Sequence, residues 1–83
     1  MKITIEPTTK IVELITASGK VPARIWEGTT ERGTPLMAFI TRIAPLIEGL
    51  KEGEPADLEF KAALGEVRAP SREVQAIDAR LIL

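Results

Sequence analysis

The chain has 83 residues, with eleven basic side chains against twelve acidic ones, and it carries a net charge of −1. This length fits one small domain, and the near-neutral charge argues against nucleic acid or an anionic membrane surface as a partner. Because the sequence contains neither Cys nor His, it excludes disulfides, thiolate and imidazole metal sites, and a Ser-His-Asp triad. The content of 45% hydrophobic and 28% charged residues is typical of a folded domain.

The sequence predicts neither a signal peptide nor a transmembrane segment. Residues 1–6 lack the apolar core of a signal peptide, and residues 33–50 are too interrupted by charges and prolines to span a bilayer. We therefore expect a protein of the cytoplasm that does not bind membranes.

Residues 1–44 show the period-two alternation of β-strands and predict an antiparallel meander. Strand candidates cover 2–6, 10–16, 21–27 and 34–44. Ser18 and Gly19 are compatible with a two-residue hairpin turn. The glycine-bounded segment 28–33 is the candidate for the next loop.

A Ser18-Gly19 turn places the apolar Leu14 opposite the apolar Ala23, and the acidic Glu13 opposite the basic Arg24. Both kinds of cross-strand pair are favourable. Setting Glu27 opposite Thr34 then extends the same register to the last strand. The apolar side chains that fall on one side form a predicted core face: Val12, Leu14, Ala23, Ile25, Leu36, Ala38 and Ile40.

The opposite side of this predicted sheet is also largely apolar, although a face in contact with water is normally polar. It carries Ile11, Glu13, Ile15, Pro22, Arg24, Trp26, Met37, Phe39, Thr41 and Ile43. A sheet that is apolar on both faces needs another part of the chain or a partner packed against each face. Pro22 fits this register least well, because proline has no N–H to donate within a central strand.

The second half of the chain supplies one cover. Residues 45–54 form a connection, 55–69 a helix starting at Pro55, and 70–83 a turn followed by a C-terminal strand. The helix has an apolar stripe of Phe60, Ala63, Leu64 and Val67. The expected fold is one α+β domain of residues 1–83: a four- to five-stranded antiparallel sheet, a β-meander, with one main helix packed on one face.

The candidate binding site is a cluster of five side chains on the second face. These are Glu13, Arg24, Trp26, Met37 and Phe39, and Trp, Met and Arg are enriched where proteins meet partners. The alternative is a second small core, covered by the C-terminal segment or by another copy of the chain. An incorrect register is the remaining alternative.

No catalytic or metal-binding arrangement emerges from the remaining polar residues. Segment 28–33 fails the phosphate-loop pattern because Thr34 stands where lysine is required. Glu27 and Glu31 have little room to flank a cleft, and Glu52, Glu54 and Asp57 lack EF-hand spacing. We expect no enzyme activity, no cofactor and no metal.

Three short segments of the chain are residues 22–30 (PARIWEGTT), 39–44 (FITRIA) and 70–83 (PSxxVxAIxxRLIL). Together they resemble small uncharacterised proteins encoded by bacteriophages and prophages, whereas residues 46–54 form a longer connection than that pattern has. The resemblance implies a viral accessory protein that acts inside a bacterial cell, and it supplies no catalytic residues.

Three functions follow as expectations. In the first, a homo-oligomer blocks or sequesters a host or phage protein through the face that carries Arg24 and Trp26. Interference with a host defence is one example of such blocking. The second is a sponge for a small nucleotide ligand, with Trp26 stacking on the base and Arg24 or Arg32 holding phosphate. The third is a minor structural or assembly protein of the virion.

Overall fold

The computed structural model describes all residues, 1–83, as four strands and two helices. In chain order these are β1 Ile3–Thr16, β2 Gly19–Thr30, β3 Pro35–Ile40, α1 Pro55–Leu64, α2 Arg72–Gln75 and β4 Arg80–Ile82. They form one sheet of order β3-β2-β1-β4. The sheet is curled into a half-barrel. The elements confirm the predicted α+β class and the predicted C-terminal strand.

The expectation of a wholly antiparallel sheet is wrong, because β4 runs parallel to β1. Strands β1, β2 and β3 form the predicted antiparallel meander. Residues 41–79 then separate β3 from β4, which is enough chain for the crossover that a parallel strand requires. The sheet is therefore mixed.

The first hairpin turns one residue earlier than predicted. Its two turn residues are Ala17 and Ser18, with Thr16 paired to Gly19, whose φ is +131°. Leu14 consequently faces Val21 instead of Ala23. A register change of two residues leaves every side chain on its original face, so the predicted core face is correct for β1 and β2.

The second hairpin turns over three residues, 31–33, because β2 continues through the glycine-bounded segment to Thr30. The predicted loop had six residues, and this change from even to odd reverses the face of β3. Ile25 pairs with Phe39 and Glu27 with Met37. Met37 and Phe39 therefore lie on the core face, and the prediction that they join Trp26 is wrong.

Strand β1 also differs from the prediction, since it continues through Pro7 with an irregularity before Ile11. The Thr8 hydroxyl donates a hydrogen bond to the Ile25 carbonyl at 2.6 Å and accepts one from the Lys10 N–H at 3.2 Å. Arg24 Nη1 donates to the Thr8 carbonyl at 2.7 Å. The polar groups of this bulge are thereby satisfied, which is what allows β1 to stay paired on both sides of it.

Pro22 is tolerated because it is not flanked by two strands. It lies opposite Glu13 of β1, whereas β3 ends at Ile40, opposite Arg24. Pro22, which has no N–H, therefore lies beyond the last residue pair between β2 and β3.

The hydrophobic core is small, with only eight of 83 residues buried. Its cluster is Val12, Leu14, Ala23, Ile25 and Val74, with Ile77 and Leu81 packed against it. The cover on the core face is thus α2 and the segment after it, not the main helix as predicted. Helix α1 ends at Leu64, before the predicted residue 69, and has no buried residue.

Neither helix is long and apolar enough to cross a membrane.

Candidate functional site

A groove of about 780 Å³ opens on the core face beside the start of α2. We call it the core-face groove, and its lining residues are Thr4, Glu6, Glu27, Gly28, Thr29, Pro35, Leu36, Met37, Arg68, Ser71, Glu73 and Val74. Its volume is within the range of about 300–1,000 Å³ that is usual for ligand sites. The groove continues the core at the end of the sheet that α2 leaves uncovered.

A carboxylate lies at the inner end of this groove because Glu27 continues the core-facing alternation of Ala23 and Ile25. Its direct partner across the strands is Glu6, so two acidic residues face each other. Arg68 lies between them, with Nε 3.7 Å from Glu6 Oε2 and Nη2 3.6 Å from Glu27 Oε2. The cation relieves the repulsion that opposed like charges would otherwise cause.

Backbone pairing fixes the position of Arg68. Thr9 N–H donates to the Arg68 carbonyl at 3.0 Å, and Arg68 N–H donates to the Pro7 carbonyl at 3.1 Å. This short parallel bridge brings the chain after α1 against the outer edge of β1. The guanidinium therefore projects over the two carboxylates from a backbone that the sheet holds.

The Glu27 carboxylate is ionised despite its burial. Burial by itself raises the pKa of Glu27, but hydrogen bonds from Ser71 and the charge of Arg68 outweigh it, so the pKa is lowered from its ordinary value. The Ser71 backbone N–H donates to Glu27 Oε2 at 2.9 Å. A carboxyl with a lowered pKa is a poor general acid at neutral pH, and the arrangement is suited to holding the α2 cover in place.

Gly28 lines the same groove and cannot be replaced without movement of the backbone. A Cβ at this position would collide with the Thr4 carbonyl oxygen. The close approach follows from the pairing of Gly28 with Ile5 in the β1–β2 ladder. Glycine is therefore required by contact between strands, and not by a left-handed turn.

A second, smaller groove of about 390 Å³ lies on the other face of the sheet. We call it the Trp26 groove, and it is lined by Pro7, Ile11, Pro22, Ala23, Arg24, Trp26, Ile40, Thr41, Arg42, Ile43 and Leu64. Only one residue of α1, Leu64, reaches it. Its charged residues are two arginines, with no carboxylate among the lining residues.

The structure does not bring the six predicted site residues together. Arg24 and Trp26 lie together in the Trp26 groove. Met37 and Phe39 lie on the core face, where they are 45% and 38% exposed. Arg32 is exposed in the turn between β2 and β3, away from both pairs in the strand register.

Glu13 does not pair with Arg24 as predicted. The register places it opposite Pro22, and its Oε1 lies 4.0 Å from Lys20 Nζ and 3.8 Å from Arg80 Nε. Both ion pairs are largely exposed and contribute little to stability. Arg24 instead donates to the backbone of the β1 bulge, so it has a structural contact that the sequence did not indicate.

The network of Glu6, Glu27, Arg68 and Ser71 was not predicted from the sequence. One signal for it was present, because Glu27 follows Ala23 and Ile25 at period two and so occupies a core-facing position. A carboxylate in that position requires a cation or N–H donors. The identity of those donors depends on residues 68 and 71, more than 40 positions away, which the alternation cannot indicate.

Comparison of the chain with family models, with curated proteins and with solved structures gives no match in any of the three. No group of three or more acidic side chains is close enough to hold a metal ion.

Proposed function

We propose that this protein is a non-catalytic, homo-oligomeric binding protein that blocks or sequesters a partner protein. The observation that carries the proposal is the excess of exposed surface. The chain exposes 6464 Å², whereas a folded monomer of 9.0 kDa is expected to expose about 4,900 Å². The excess of about 1,600 Å² is as large as the total area buried in a standard protein–protein interface.

The overall dimensions agree with this excess. The radius of gyration is 14.7 Å, against about 12 Å for a compact domain of this length. Thirteen large hydrophobic side chains are exposed, among them Met37, Phe39, Leu46 and Leu58. Apolar surface on this scale is typical of a chain that covers it with a partner or with copies of itself.

The core-face groove is the proposed partner site. Met37 provides apolar contact at one wall, and Phe39 extends that apolar surface along β3. Glu6 and Glu73 offer hydrogen-bond acceptors around it. The Glu27 carboxylate is already bound by the Ser71 N–H and by Arg68, so that partner binding requires little further ordering of this group.

The proposed setting is the cytoplasm of a bacterial host. It is supported by the resemblance of residues 22–30, 39–44 and 70–83 to small phage and prophage proteins. A phage accessory protein without catalytic groups acts by occupying its target, and interference with a host defence is one such action.

A second candidate function is the binding of a small anionic ligand, such as a nucleotide, in the Trp26 groove. The supporting observation is that Arg24 and Arg42 line this groove beside Trp26, without any carboxylate. An indole face stacks on a base, and a guanidinium binds phosphate in a bidentate manner. Arg42 is the free cation in this arrangement, since Arg24 donates to the Thr8 carbonyl.

Native mass spectrometry of the untagged protein, purified gently from cells, tests these proposals. An oligomer that carries a second polypeptide supports the blocking function, and Met37→Glu should remove that polypeptide while Leu58→Glu, on exposed α1, should not. An adduct of a few hundred daltons that is lost in Arg42→Gln supports the ligand function. A bare oligomer at all concentrations supports a structural role, and a bare monomer contradicts the proposed function.

A further inference from the structure

Strand β3 is a free edge of the sheet. Its only neighbour is β2, and no other backbone hydrogen bond involves residues 35–40. In an antiparallel pair, alternate backbone groups of each strand point away from the partner. The outward N–H and C=O groups of β3 therefore have no protein partner.

The composition of β3 lacks the features that protect natural sheet edges. The strand reads PLMAFI, without a charged residue, and its one proline stands at its first position. Edges are usually protected by lysine, by an internal proline, by a bulge or by short length. Strand β3 has six uncharged residues in regular register with β2. Apart from Pro35 at its first position, it has none of these protective features.

The opposite side of the sheet has a different character. There β4 has three residues and includes the charged Arg80. Elsewhere on the β1 edge, residues 7–9 bond to the backbone of Arg68, and the unpaired first residues of the strand include the charged Glu6. Of the two edges, only β3 is both long and uncharged, and so it is the edge suited to pairing with another strand.

We propose that two copies of this chain pair antiparallel through β3 and form a continuous eight-stranded sheet. This inference rests on the homo-oligomeric part of the proposed function and names its interface. A two-fold axis places the same strand of both copies antiparallel, so the segment is complementary to itself. This pairing brings Met37 and Phe39 of one copy beside those of the other on the core face. Both side chains are exposed in the single chain.

The available surface and the charge of the chain are both compatible with this dimer. A standard interface buries about 800 Å² of each partner, which is about half of the excess surface of this chain. The net charge of −1 produces little repulsion between copies. The core-face groove includes Pro35 and Met37 at its wall, so the axis places two grooves side by side and a partner protein meets both copies.

Amide hydrogen exchange of residues 36–40, combined with sedimentation, tests this interface. In the β3-paired dimer every amide from Leu36 to Ile40 is protected, because the amides that do not donate to β2 donate to the other copy. In a monomer, or in an assembly that leaves the β3 edge unpaired, the protection alternates along the strand. A dimer with alternating protection overturns this inference and leaves homo-oligomerisation standing, whereas a monomer at all concentrations overturns both.

A charged variant gives an independent readout. Phe39→Lys places two like charges close to the axis and is expected to weaken dimerisation on the order of a hundredfold. Leu58→Lys, at a 56% exposed position of α1, is the matched control and should leave dimerisation unchanged. Circular dichroism establishes that both variants fold. A folded Phe39→Lys protein that dimerises like the wild type contradicts the proposed interface.

Discussion

The two faces of the sheet receive very different covers. On the core face, Val12 and Ile25 have almost no exposed surface, because Val74 of α2 packs against them. On the Trp26 face, Ile11 is 53% exposed, and Leu64 is the only residue of α1 that lines the groove. The four-residue helix covers a face, while the ten-residue helix does not.

The difference shows that anchoring decides which helix covers the sheet, and length does not. Helix α2 is preceded by Ser71, whose N–H binds Glu27 and whose hydroxyl caps the N–H of Val74 at 3.3 Å. By contrast, Asp57 of α1 binds Gly53 and Lys61, both within its own segment. The polar network therefore holds one cover in place, and nothing equivalent acts on the other.

The largest expected effect comes from removing the centre of the core face. Ile25 is fully buried, and Ile25→Ala should lower the free energy of unfolding by about 3–4 kcal/mol. Ile11→Ala, on the Trp26 face, should cost less than about 1 kcal/mol, because its side chain is half exposed already. Urea denaturation followed by circular dichroism measures both. Equal losses would contradict the contrast between the two faces.

Gly28→Ala should have the next largest effect. The new methyl group collides with the Thr4 carbonyl, so the β1 and β2 backbones must separate at the core-face groove, at a cost of about 2–3 kcal/mol. Gly65→Ala is the matched control, because a Cβ there makes only ordinary contacts, with Ala62 O at 3.5 Å and Lys61 O at 3.8 Å, and the stability of this variant should be unchanged or slightly raised. An unchanged melting temperature for Gly28→Ala would refute the strict requirement for glycine.

Glu27→Gln tests the polar network that anchors α2. It weakens the bonds to Ser71 and removes the ion pair with Arg68, at an expected cost of about 1–2 kcal/mol at pH 7. The side chain is 10% exposed, so solvent screens this effect only weakly.

The same substitution should change the pH dependence of stability. Because folding lowers the pKa of Glu27, its ionised form stabilises the native state above the ordinary value of 4.5, and this contribution is lost as the pH falls through the lowered pKa. Wild-type stability should therefore decrease as the solution is acidified below about pH 4.5. Glu27→Gln should show a shallower decrease, and parallel curves for the two proteins would contradict the assigned role.

Apart from the control substitutions, Trp26→Ala should have the smallest effect on stability. Its side chain is half-buried in an open groove, so we expect a loss of about 1 kcal/mol, well below that of a buried aromatic residue. Any loss of nucleotide binding by this variant, measured by calorimetry, would then report on the groove itself. A loss as large as that of Ile25→Ala would instead mean that the Trp26 face is a second core, covered in the assembled protein.

The sequence predicted much of the fold but only part of the candidate site. The alternation of β1 and β2 correctly assigned Val12, Leu14, Ala23 and Ile25 to one face, and the two-residue error in their register did no harm, because an even shift leaves each side chain on its face. For β3 the predicted face was wrong, because the odd change in loop length reversed the face of Met37. The Arg24 and Trp26 pair was found because both residues belong to one strand.

The sequence by itself determined the α+β class, the antiparallel meander, the start of the main helix at Pro55 and the presence of a C-terminal strand. These depend on local periodicity and on the backbone restrictions of proline and glycine. Only the tertiary structure decided that β4 is parallel, that α2 covers the core, and that Arg68 and Ser71 bind Glu27. Each of those outcomes depends on contacts between residues far apart in the chain, whose relative positions no local pattern encodes.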